Sequence, residues 1–374
     1  MITLTEIACC VSGIAILYAY VGYPLALLLL RALIHRPVHK AAVTPSVTLI
    51  VPAYNEAGVI AAKMRNVSAL NYPAELLEVI VASDGSTDRT AEIAREFSVG
   101  RNWQVLAFSR NRGKISAVNE AVHAARGDII LLTDASAMMT PDAVRHLVSN
   151  FADAEVGAAS GMYRVQKASS GQLGRQEELY WRYETFLKIQ ESAVGSVLGG
   201  HGALLALRKR LYCYPAPDTI NDDYVIPLRI IAGGHRVVYE PQAIACEEAS
   251  EMVGFQRRVR IMAGNLQQLK ELAGLLRPLR LLPLFCFVSH KAIRTAVPFF
   301  MFALAISNMF LLGSSVGRLL AACQLCFYSL ALLGVQWELK PRVLRLPYYF
   351  CFVNSAYLWG AFRSLQGVDK VSWK

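Results

Sequence analysis

The chain has 374 residues, of which 54% are hydrophobic, with a mean hydropathy of +0.35 and a net charge of +10 at pH 7. Its length allows more than one structural unit, and its composition is too apolar for an ordinary soluble enzyme. No interleaved stripe of basic and aromatic residues accompanies the positive charge, so we expect no nucleic-acid partner. Attraction to anionic membrane lipid explains the charge better.

Four stretches without Asp, Glu, Lys or Arg lie near the ends of the chain. They are residues 7–30, 295–317, 319–337 and 346–362. A membrane-spanning helix needs about 17–25 apolar residues, and the fourth stretch is at the short limit of that range. A buried core helix is the alternative for each stretch, but the lengths of the first three favour the membrane. The sequence therefore predicts one transmembrane helix at the N-terminus and two or three near the C-terminus.

Basic residues follow the first apolar stretch rather than precede it. Arg31, Arg36 and Lys40 come after it, whereas the first six residues contain Glu6 and no Lys or Arg. This argues against a cleaved signal peptide, which would begin with a basic region. Lys and Arg prefer the cytoplasmic side of membrane helices, and the basic loop at 340–345 agrees with that orientation. We therefore predict a multi-pass protein of the inner (plasma) membrane with a cytoplasmic catalytic domain.

The predicted organisation has five parts. They are an N-terminal transmembrane anchor at 1–34, a linker at 35–45, a cytoplasmic domain at 46–272, an interfacial segment at 273–293 and C-terminal transmembrane helices at 294–365. The interfacial segment is predicted because its apolar run is too short and too basic at its start to span a bilayer.

Within the middle region, apolar β-branched runs alternate with helical patterns. Strands are predicted at 47–53, 78–83, 103–108, 128–133, 156–165, 203–207 and 236–240. Helices are predicted at 57–68, 88–97, 115–125, 141–151, 172–192, 222–232 and 252–272. This alternation is typical of an α/β fold, with a mostly parallel sheet covered by helices on its faces.

Polar residues and carboxylates follow several of these strands directly. In open α/β sheets, ligands bind where strands end and helices begin. Ala53, Tyr54 and Glu56 after the first strand are therefore expected at a site. Asp84 and Asp134 end two later strands and should converge on the same rim. Capping of the next helix explains the Ser, Thr and Asp that follow Asp84, but it does not explain Asp84 itself.

Two further motifs indicate phosphate and metal chemistry. Lys114 follows a glycine at a predicted helix start, where a phosphate would be favoured, although plain turns also contain Gly-Lys pairs. Asp134 and Ser136 offer two oxygens that suit a hard cation, Mg²⁺ or Mn²⁺, bridging diphosphate oxygens. Ordinary loop chemistry is the alternative for this pair.

An acidic pair and a basic run complete the candidate residues. Asp222 and Asp223 open a predicted helix, and one of them is expected to cap it. The other could act as a general base, because a like charge beside it would raise its pKa. The basic run at 255–260 is either a solvated or lipid-facing charge run or a site that neutralises phosphate.

In their order along the chain, these motifs resemble those of the inverting, nucleotide-sugar-dependent glycosyltransferases of family 2. The resemblance is closest to the membrane-bound branch with cellulose, hyaluronan and poly-N-acetylglucosamine synthases. The motifs are Pro-x-Tyr-Asn-Glu, Ser-Asp-Gly-Ser-x-Asp, Gly-Lys, Thr-Asp-Ala, a Gly-rich loop and Asp-Asp before a helix. The resemblance covers most of residues 46–272 and implies a GT-A-type, Rossmann-like fold.

The resemblance also implies roles for single residues. Ala53, Tyr54 and Glu56 would hold the base and ribose of the nucleotide, and Asp84 would read the uracil edge. Lys114 would lie near the diphosphate.

For the reaction centre, the resemblance implies that Asp134 is the first member of the Asp-x-Asp metal motif. Asp223 would be the catalytic base and Asp222 would occupy the preceding acidic position. Arg260 would match the arginine of the Gln-x-x-Arg-Trp motif.

The sequence departs from the family pattern at two places. Ser136 stands where the second metal aspartate is expected, so the cation would be held with one charge fewer. Arg257 replaces the glutamine and Ile261 the tryptophan of Gln-x-x-Arg-Trp. That tryptophan helps to hold the acceptor in processive enzymes, so single addition to a membrane acceptor stays as open as polymerisation.

The sequence therefore predicts an inverting transferase that moves a sugar from a UDP-type donor to a saccharide or lipid-linked acceptor, in polysaccharide or glycolipid biosynthesis. A nicotinamide-dependent dehydrogenase would need Gly-x-Gly-x-x-Gly after the first strand, and the turn reads Pro-Ala-Tyr-Asn-Glu-Ala-Gly. A membrane transporter or assembly scaffold is the non-enzymatic alternative. It is disfavoured because the four apolar stretches carry no charge to mark a transport path.

Overall fold

A computed structural model describes residues 3–166, 172–248, 254–271, 274, 280–337 and 342–366. Its centre is one eight-stranded sheet. The strands are β1 (Val47–Ala53), β2 (Leu77–Ser83), β3 (Trp103–Ala107), β4 (Ile129–Leu132), β5 (Met138–Met139), β6 (Val156–Gln166), β7 (Leu205–Arg208) and β8 (Arg236–Glu248). They are arranged in the order β3-β2-β1-β4-β7-β6-β8-β5.

The predicted parallel arrangement is confirmed for one half of the sheet. β3, β2, β1 and β4 are all parallel to their neighbours. In the other half β7 is antiparallel to both β4 and β6, β6 and β8 are parallel, and the two-residue β5 is antiparallel to β8. The sheet is therefore mixed, because the short strand β7 reverses the chain direction at its centre.

The helices of the domain follow the predicted alternation with strands. They are Ile60–Ser68, Thr90–Ser98, Lys114–Ala124, Ala143–Ser149, Gln172–Val194, Asp222–Ala232 and Phe255–Gln268. Each predicted helix and strand of the domain is found within a few residues of its expected position. Two differences remain: β5 was not predicted, and β8 extends well past the predicted end at 240, because it pairs with the long strand β6.

Both faces of the sheet are covered, which explains the continuous apolar sequence of β1. All seven residues of β1 and all seven of β2 are buried. Successive strand residues point to opposite faces. Leu49 therefore packs in one core layer with Ile60, whereas Ile50 packs in the other layer with Ala121. The second layer also contains Tyr23 and Phe287 from two of the terminal helices, so these helices share a core with the domain.

Three helices are long and apolar enough to cross a membrane, judged by length and composition. We call them span 1 (Leu4–Leu33), span 2 (Leu281–Met309) and span 3 (Ser315–Gln336). Spans 1 and 2 each contain a short π-helical segment, at Tyr18–Gly22 and Phe287–Ala292. A further helix, Leu346–Leu365, which we call the C-terminal helix, packs Gly360 against Met262 of the helix Phe255–Gln268, which we call the basic helix.

One continuous helix crosses the predicted boundary at 293/294. Span 2 runs without a break from 281 to 309, so residues 281–293 of the expected interfacial segment belong to it. The physical reason is that the π-helical segment keeps the backbone hydrogen-bonded through this region. Residues 273 and 275–279 of that segment lie outside the described residues. The apolar stretch predicted at 295–317 also turns at 310–314, where Ser314 caps span 3.

Candidate active site

One cavity of about 370 Å³ opens at the carboxyl ends of β1 and β4. Its walls come from strand ends, the loop before β7, the basic helix and span 2. Among the residues that line it are Glu56, Lys114, Asp134, Ser136, His201, Asp222, Asp223, Glu247, Arg257, Arg260, Lys291 and Arg294. Most of the predicted site residues therefore meet in one place.

Asp84 lies beside this cavity rather than in its lining. Its carboxylate is fully buried and accepts hydrogen bonds from the backbone N–H groups of Arg112 and Gly113, the latter at 2.8 Å. Gly85 next to it has a φ of 69°, and its Cα approaches the backbone of Arg110 too closely for a side chain. In this arrangement Asp84 holds the loop that leads to Lys114, and its reading of a uracil edge stays a prediction.

The segment after β1 occupies the edge of the same site. Ala53 is fully buried and its carbonyl accepts a hydrogen bond from the N–H of Asp84. Glu56 lines the cavity, and its backbone N–H donates to Thr90 Oγ1 at 2.7 Å. Tyr54 is partly buried between them. Of these three residues, Glu56 alone is in the described lining of the cavity, and contacts of all three to a base and ribose stay a prediction.

Lys114 and Asp134 form an ion pair inside the cavity. Lys114 is the first residue of its helix, and its Nζ donates to Asp134 Oδ1 at 2.9 Å. Burial alone would lower the pKa of Lys114, but the charges of Asp134 and then Asp222 more than offset this and raise it. Burial likewise would raise the pKa of Asp134, and the charge of Lys114 lowers it instead. Both groups are therefore charged at neutral pH.

The residues around Asp134 offer oxygen ligands for a divalent cation. Ser136 donates a hydrogen bond to Glu247 of β8, and Tyr163 donates to the other oxygen of Glu247 at 2.6 Å. No group of three or more His, Cys, Asp or Glu that could hold a metal is found in the described part of the chain. A cation here would need oxygens from a bound diphosphate as well as Asp134, Ser136 and Glu247, and such an all-oxygen set fits Mg²⁺ or Mn²⁺. Glu247 was not among the predicted residues.

A buried lysine supports the turn that carries Asp134. The side chain of Lys63 is fully buried on the helix after β1. Its Nζ donates to Thr133 Oγ1 at 2.8 Å and to the carbonyl of Ala137, so it holds the turn at both ends. Burial lowers the pKa of Lys63 to about 7, although the charges of Asp134 and Glu247 oppose this. Lys63 lies in an ordinary helical sequence pattern, which does not indicate that it supports the turn carrying Asp134.

Asp222 and Asp223 both face the cavity from the first turn of their helix. The expectation that one of them caps this helix is wrong, because Asn221 is the N-cap residue and the two aspartates are inside the helix. The Asn221 side chain instead packs against Gly264 and donates to the carbonyl of Ile261 at 3.2 Å. Because Asn221 occupies the N-cap position, neither Asp222 nor Asp223 is the capping residue, and both line the cavity.

The electrostatic surroundings of Asp223 suit a general base. Burial, followed by the like charge of Asp222, raises the pKa of Asp223 to about 6. The charges of Lys188, Lys114 and Lys291 act in the opposite direction. Asp223 is therefore ionised at neutral pH and still basic enough to take a proton. Asp222 thus raises the pKa of Asp223, with burial as the larger cause, and the role of Asp223 as a base stays a prediction.

The Gly-rich loop at 199–202 holds the backbone of Asp223 beside Lys114 and Asp134. The N–H of Gly200 donates to the Asp223 carbonyl at 2.7 Å, and Lys188 Nζ donates to the Gly200 carbonyl at 2.9 Å. A Cβ placed on Gly202 would lie 3.7 Å from Lys114 Nζ, 3.8 Å from Asp134 Oδ2 and 3.9 Å from Asp223 Cβ. Three residues that are distant in sequence therefore surround a single point.

The basic helix contributes unequally to the cavity. Arg257, Arg260 and Ile261 line it. Burial, followed by the charge of Arg257, lowers the pKa of Arg260. Arg258 lines the cavity too, but it donates to the Tyr349 hydroxyl at 2.9 Å and so connects this helix to the C-terminal helix.

Sequence reasoning missed the wall opposite the sheet. Span 2 places Lys291 and Arg294 in the cavity, and Tyr357 comes from the C-terminal helix. Trp181 also lines it, and its buried Nε1 has no hydrogen-bond partner among the described residues. These positions fall in apolar or helical patterns, so no local motif could have identified them.

The fold is a mixed sheet of the GT-A-like type, with the cavity at its strand ends. Residues 48–213 match the family model described as Glycosyl transferase family 2. The resemblance and the fold inferred from the sequence are thereby confirmed.

Known proteins similar to this chain agree with the assignment. The chain is 29% identical over 226 residues to the poly-beta-1,6-N-acetyl-D-glucosamine synthase of Staphylococcus aureus (strain MSSA476), which covers 59% of this chain and 54% of the relative. It is 26% identical over 226 residues to the synthase of the same name from Staphylococcus epidermidis. The chain thus spans about half the length of the curated relatives it matches.

A solved structure extends the likeness to nearly the whole chain. It is the mannosyltransferase PcManGT from Pyrobaculum calidifontis in complex with GDP-Man and Mn²⁺. The TM-score is 0.75 at 23% sequence identity, with 98% of this chain and 100% of that chain covered. At this level of identity the likeness shows the shared fold.

Proposed function

We propose that the protein transfers a sugar, with inversion, from a nucleoside-diphosphate sugar to a hydroxyl of a membrane-associated acceptor. The observation that carries the proposal is the meeting of Lys114, Asp134 and Asp223 around Gly202. It brings a phosphate-binding cation, a metal-binding carboxylate and a carboxylate of raised pKa within reach of one reacting centre.

In the proposed reaction Asp223 accepts the proton of the acceptor hydroxyl while that oxygen bonds to the anomeric carbon of the donor sugar. The bond from this carbon to the diphosphate oxygen breaks on the opposite face, which inverts the configuration. Lys114 and Arg260 offset negative charge on the departing diphosphate. Asp222 keeps Asp223 basic through its like charge.

We propose that Asp134, Ser136 and Glu247 hold a divalent cation, Mg²⁺ or Mn²⁺. When bound, the cation neutralises diphosphate charge as a Lewis acid. With only one aspartate in the motif, binding should be modest and should depend on the nucleotide. The Mn²⁺ of the PcManGT complex supports a divalent ion for this fold.

The nucleotide of the donor is part of the proposal. The family resemblance favours a UDP-sugar, and the curated relatives are named as synthases of poly-beta-1,6-N-acetyl-D-glucosamine. PcManGT was solved with GDP-Man, so a GDP-sugar is the second candidate.

The test is release of nucleotide from a panel of UDP- and GDP-sugars by purified membranes or purified full-length protein. We expect release from one donor class, dependent on Mg²⁺ or Mn²⁺ and abolished by a chelator. The matched control is the Asp223→Asn variant. If no donor gives release above that background, the proposed activity is wrong. A non-enzymatic transporter or scaffold would give that result.

We propose that the domain lies on the cytoplasmic side of a plasma membrane crossed by spans 1, 2 and 3. The exposed residue Val99 would then be inside, and Gly313, which has open space around it, would lie in the outer loop between spans 2 and 3. An impermeant thiol reagent on intact cells should label Gly313→Cys and not Val99→Cys. The reverse pattern, each measured against the parent, would overturn this orientation.

A further inference from the structure

Lys291 is a cation of the cavity for which the described residues supply no hydrogen bond and no ion pair. It lies in the π-helical segment of span 2, and its Nζ is 3.3 Å from the centroid of the Tyr224 ring. Its basic neighbours on span 2 are occupied. Arg294 donates to Glu184, and His290 Nδ1 lies 2.6 Å from Glu191 Oε1. Span 2 therefore presents one available ammonium group to the cavity.

The Tyr224 ring stabilises this ammonium but leaves most of its hydrogen-bonding capacity unused. An aromatic face attracts a cation electrostatically and accepts no conventional hydrogen bond. A Lys ammonium has three donors and binds phosphate as a compact point charge. An anionic ligand group would complete this site.

The place of Lys291 separates it from the groups that would hold the donor diphosphate. Lys114 and Asp134 meet Asp223 on the Gly202 side of the loop. Tyr224 packs its ring directly under Gly199, at the other end of the same loop, and Lys291 sits on that ring. The charges of both cations lower the pKa of Asp223, so both act on its carboxylate. An anion at Lys291 would therefore lie on the acceptor side of the base.

The origin of Lys291 indicates how such an anion would arrive. Lys291 belongs to a helix long and apolar enough to cross a membrane, and Tyr357 of the C-terminal helix lines the same cavity. A ligand whose charged group reaches Lys291 can keep an apolar tail along these helices. A soluble anion has no apolar tail to pack along these helices.

Resting on the function proposed above, we propose that Lys291 binds the phosphate group of a lipid-linked acceptor, with the lipid along span 2 and the reactive hydroxyl at Asp223. The phosphate is a binding group in this proposal and forms no new bond. The acceptor class is thus a sugar carried on a lipid phosphate, whose sugar supplies the hydroxyl, rather than a neutral glycan.

The experiment measures binding of farnesyl phosphate, farnesol and inorganic phosphate to the full-length protein in detergent, with and without saturating UDP or GDP. The variants are Lys291→Gln, which removes the charge, and Lys291→Arg, which keeps it. We expect farnesyl phosphate to bind the parent and Lys291→Arg with similar affinity, and Lys291→Gln at least ten-fold more weakly. Farnesol should not distinguish the variants, and nucleotide should not displace farnesyl phosphate.

Several results would overturn the proposal. They are parent-like binding of farnesyl phosphate by Lys291→Gln, its displacement by UDP or GDP, and its failure to bind the parent. Inorganic phosphate that binds as tightly as farnesyl phosphate would assign the site to a free anion instead of a lipid. Nucleotide binding by each variant reports on folding. Because no readout uses sugar transfer, this test can fail while the nucleotide-release test succeeds, or the reverse.

Discussion

The two sides of the cavity are built in different ways. The sheet side carries Lys114 and Asp134 on strand ends and helix starts, where parallel strands bring their termini together. The membrane side carries Lys291 and Arg294 on an apolar helix that is held to the domain by buried charges. Glu191 is at the centre of that contact, and it accepts a hydrogen bond from Tyr23 of span 1 at 2.6 Å. The groups proposed to bind the donor diphosphate therefore come from the sheet side, whereas the membrane helices close the cavity.

The largest expected effect is at Asp223, where the two sides meet. Asp223→Asn keeps the shape of the side chain but cannot accept a proton, so turnover should fall by about 10²–10⁴-fold, the usual worth of general-base catalysis. Nucleotide binding should be unchanged. Asp222→Asn is the matched control and should cost clearly less. A near-parent turnover for Asp223→Asn, or a greater loss for Asp222→Asn, would show that the base is elsewhere.

A smaller effect is expected on the sheet side alone. Asp134→Asn removes the charge paired with Lys114 and one oxygen of the proposed cation site. Nucleotide affinity in the presence of Mn²⁺ should fall by about 10–100-fold, since hydrogen bonds to charged groups contribute about 1.5–3 kcal/mol.

The matched control for Asp134 is Asp142→Asn. Asp142 is exposed, and among the described residues its side chain accepts a hydrogen bond from Asn71 alone. It should bind nucleotide as the parent does. If Asp134→Asn also retains parent affinity, with Mn²⁺ and without it, the diphosphate does not lie on this side.

The smallest of the three effects tests how Lys188 positions the Gly-rich loop at 199–202 beside Asp223. Lys188→Met removes the hydrogen bond to the Gly200 carbonyl and should lower turnover by about ten-fold, with nucleotide affinity unchanged. Lys209→Met is the control, because Lys209 Nζ also donates to a backbone carbonyl, that of Ala125, outside the lining of the cavity. Equal losses for the two variants would mean that the effect is only one of stability.

The sheet side could be predicted from sequence because its signals are local. The β-branched run of β1 and the carboxylate that follows β4 can each be recognised from neighbouring residues. The order of the motifs along the chain then indicates that they belong to one site. Asp134, Ser136 and Asp223 were found in this way. Glu247 was not, because it ends a strand predicted to stop at 240, and only the long pairing of β8 with β6 carries it to the site.

The membrane side could not be predicted, because its residues depend on packing between distant segments. Lys291 was predicted to lie in an interfacial segment, whereas the structure places it in the π-helical part of span 2, where it lines the cavity. Lys63 and Trp181 occupy ordinary helical positions. The helix cap at Asn221 was misassigned for a related reason, since its side chain is engaged by the basic helix some forty residues away.

The central claim is that Asp223 acts as a base whose pKa is raised by burial and by Asp222. The most direct measurement is the dependence of kcat on pH for the parent and for Asp222→Asn, with saturating donor and acceptor. The parent should show a plateau above about pH 6 and a ten-fold loss of kcat per pH unit below it, because only ionised Asp223 can accept the proton. Asp222→Asn should shift this pKa downward, since the like charge is gone. A parent profile that stays flat to pH 4.5, or an unchanged pKa in the variant, would contradict the account.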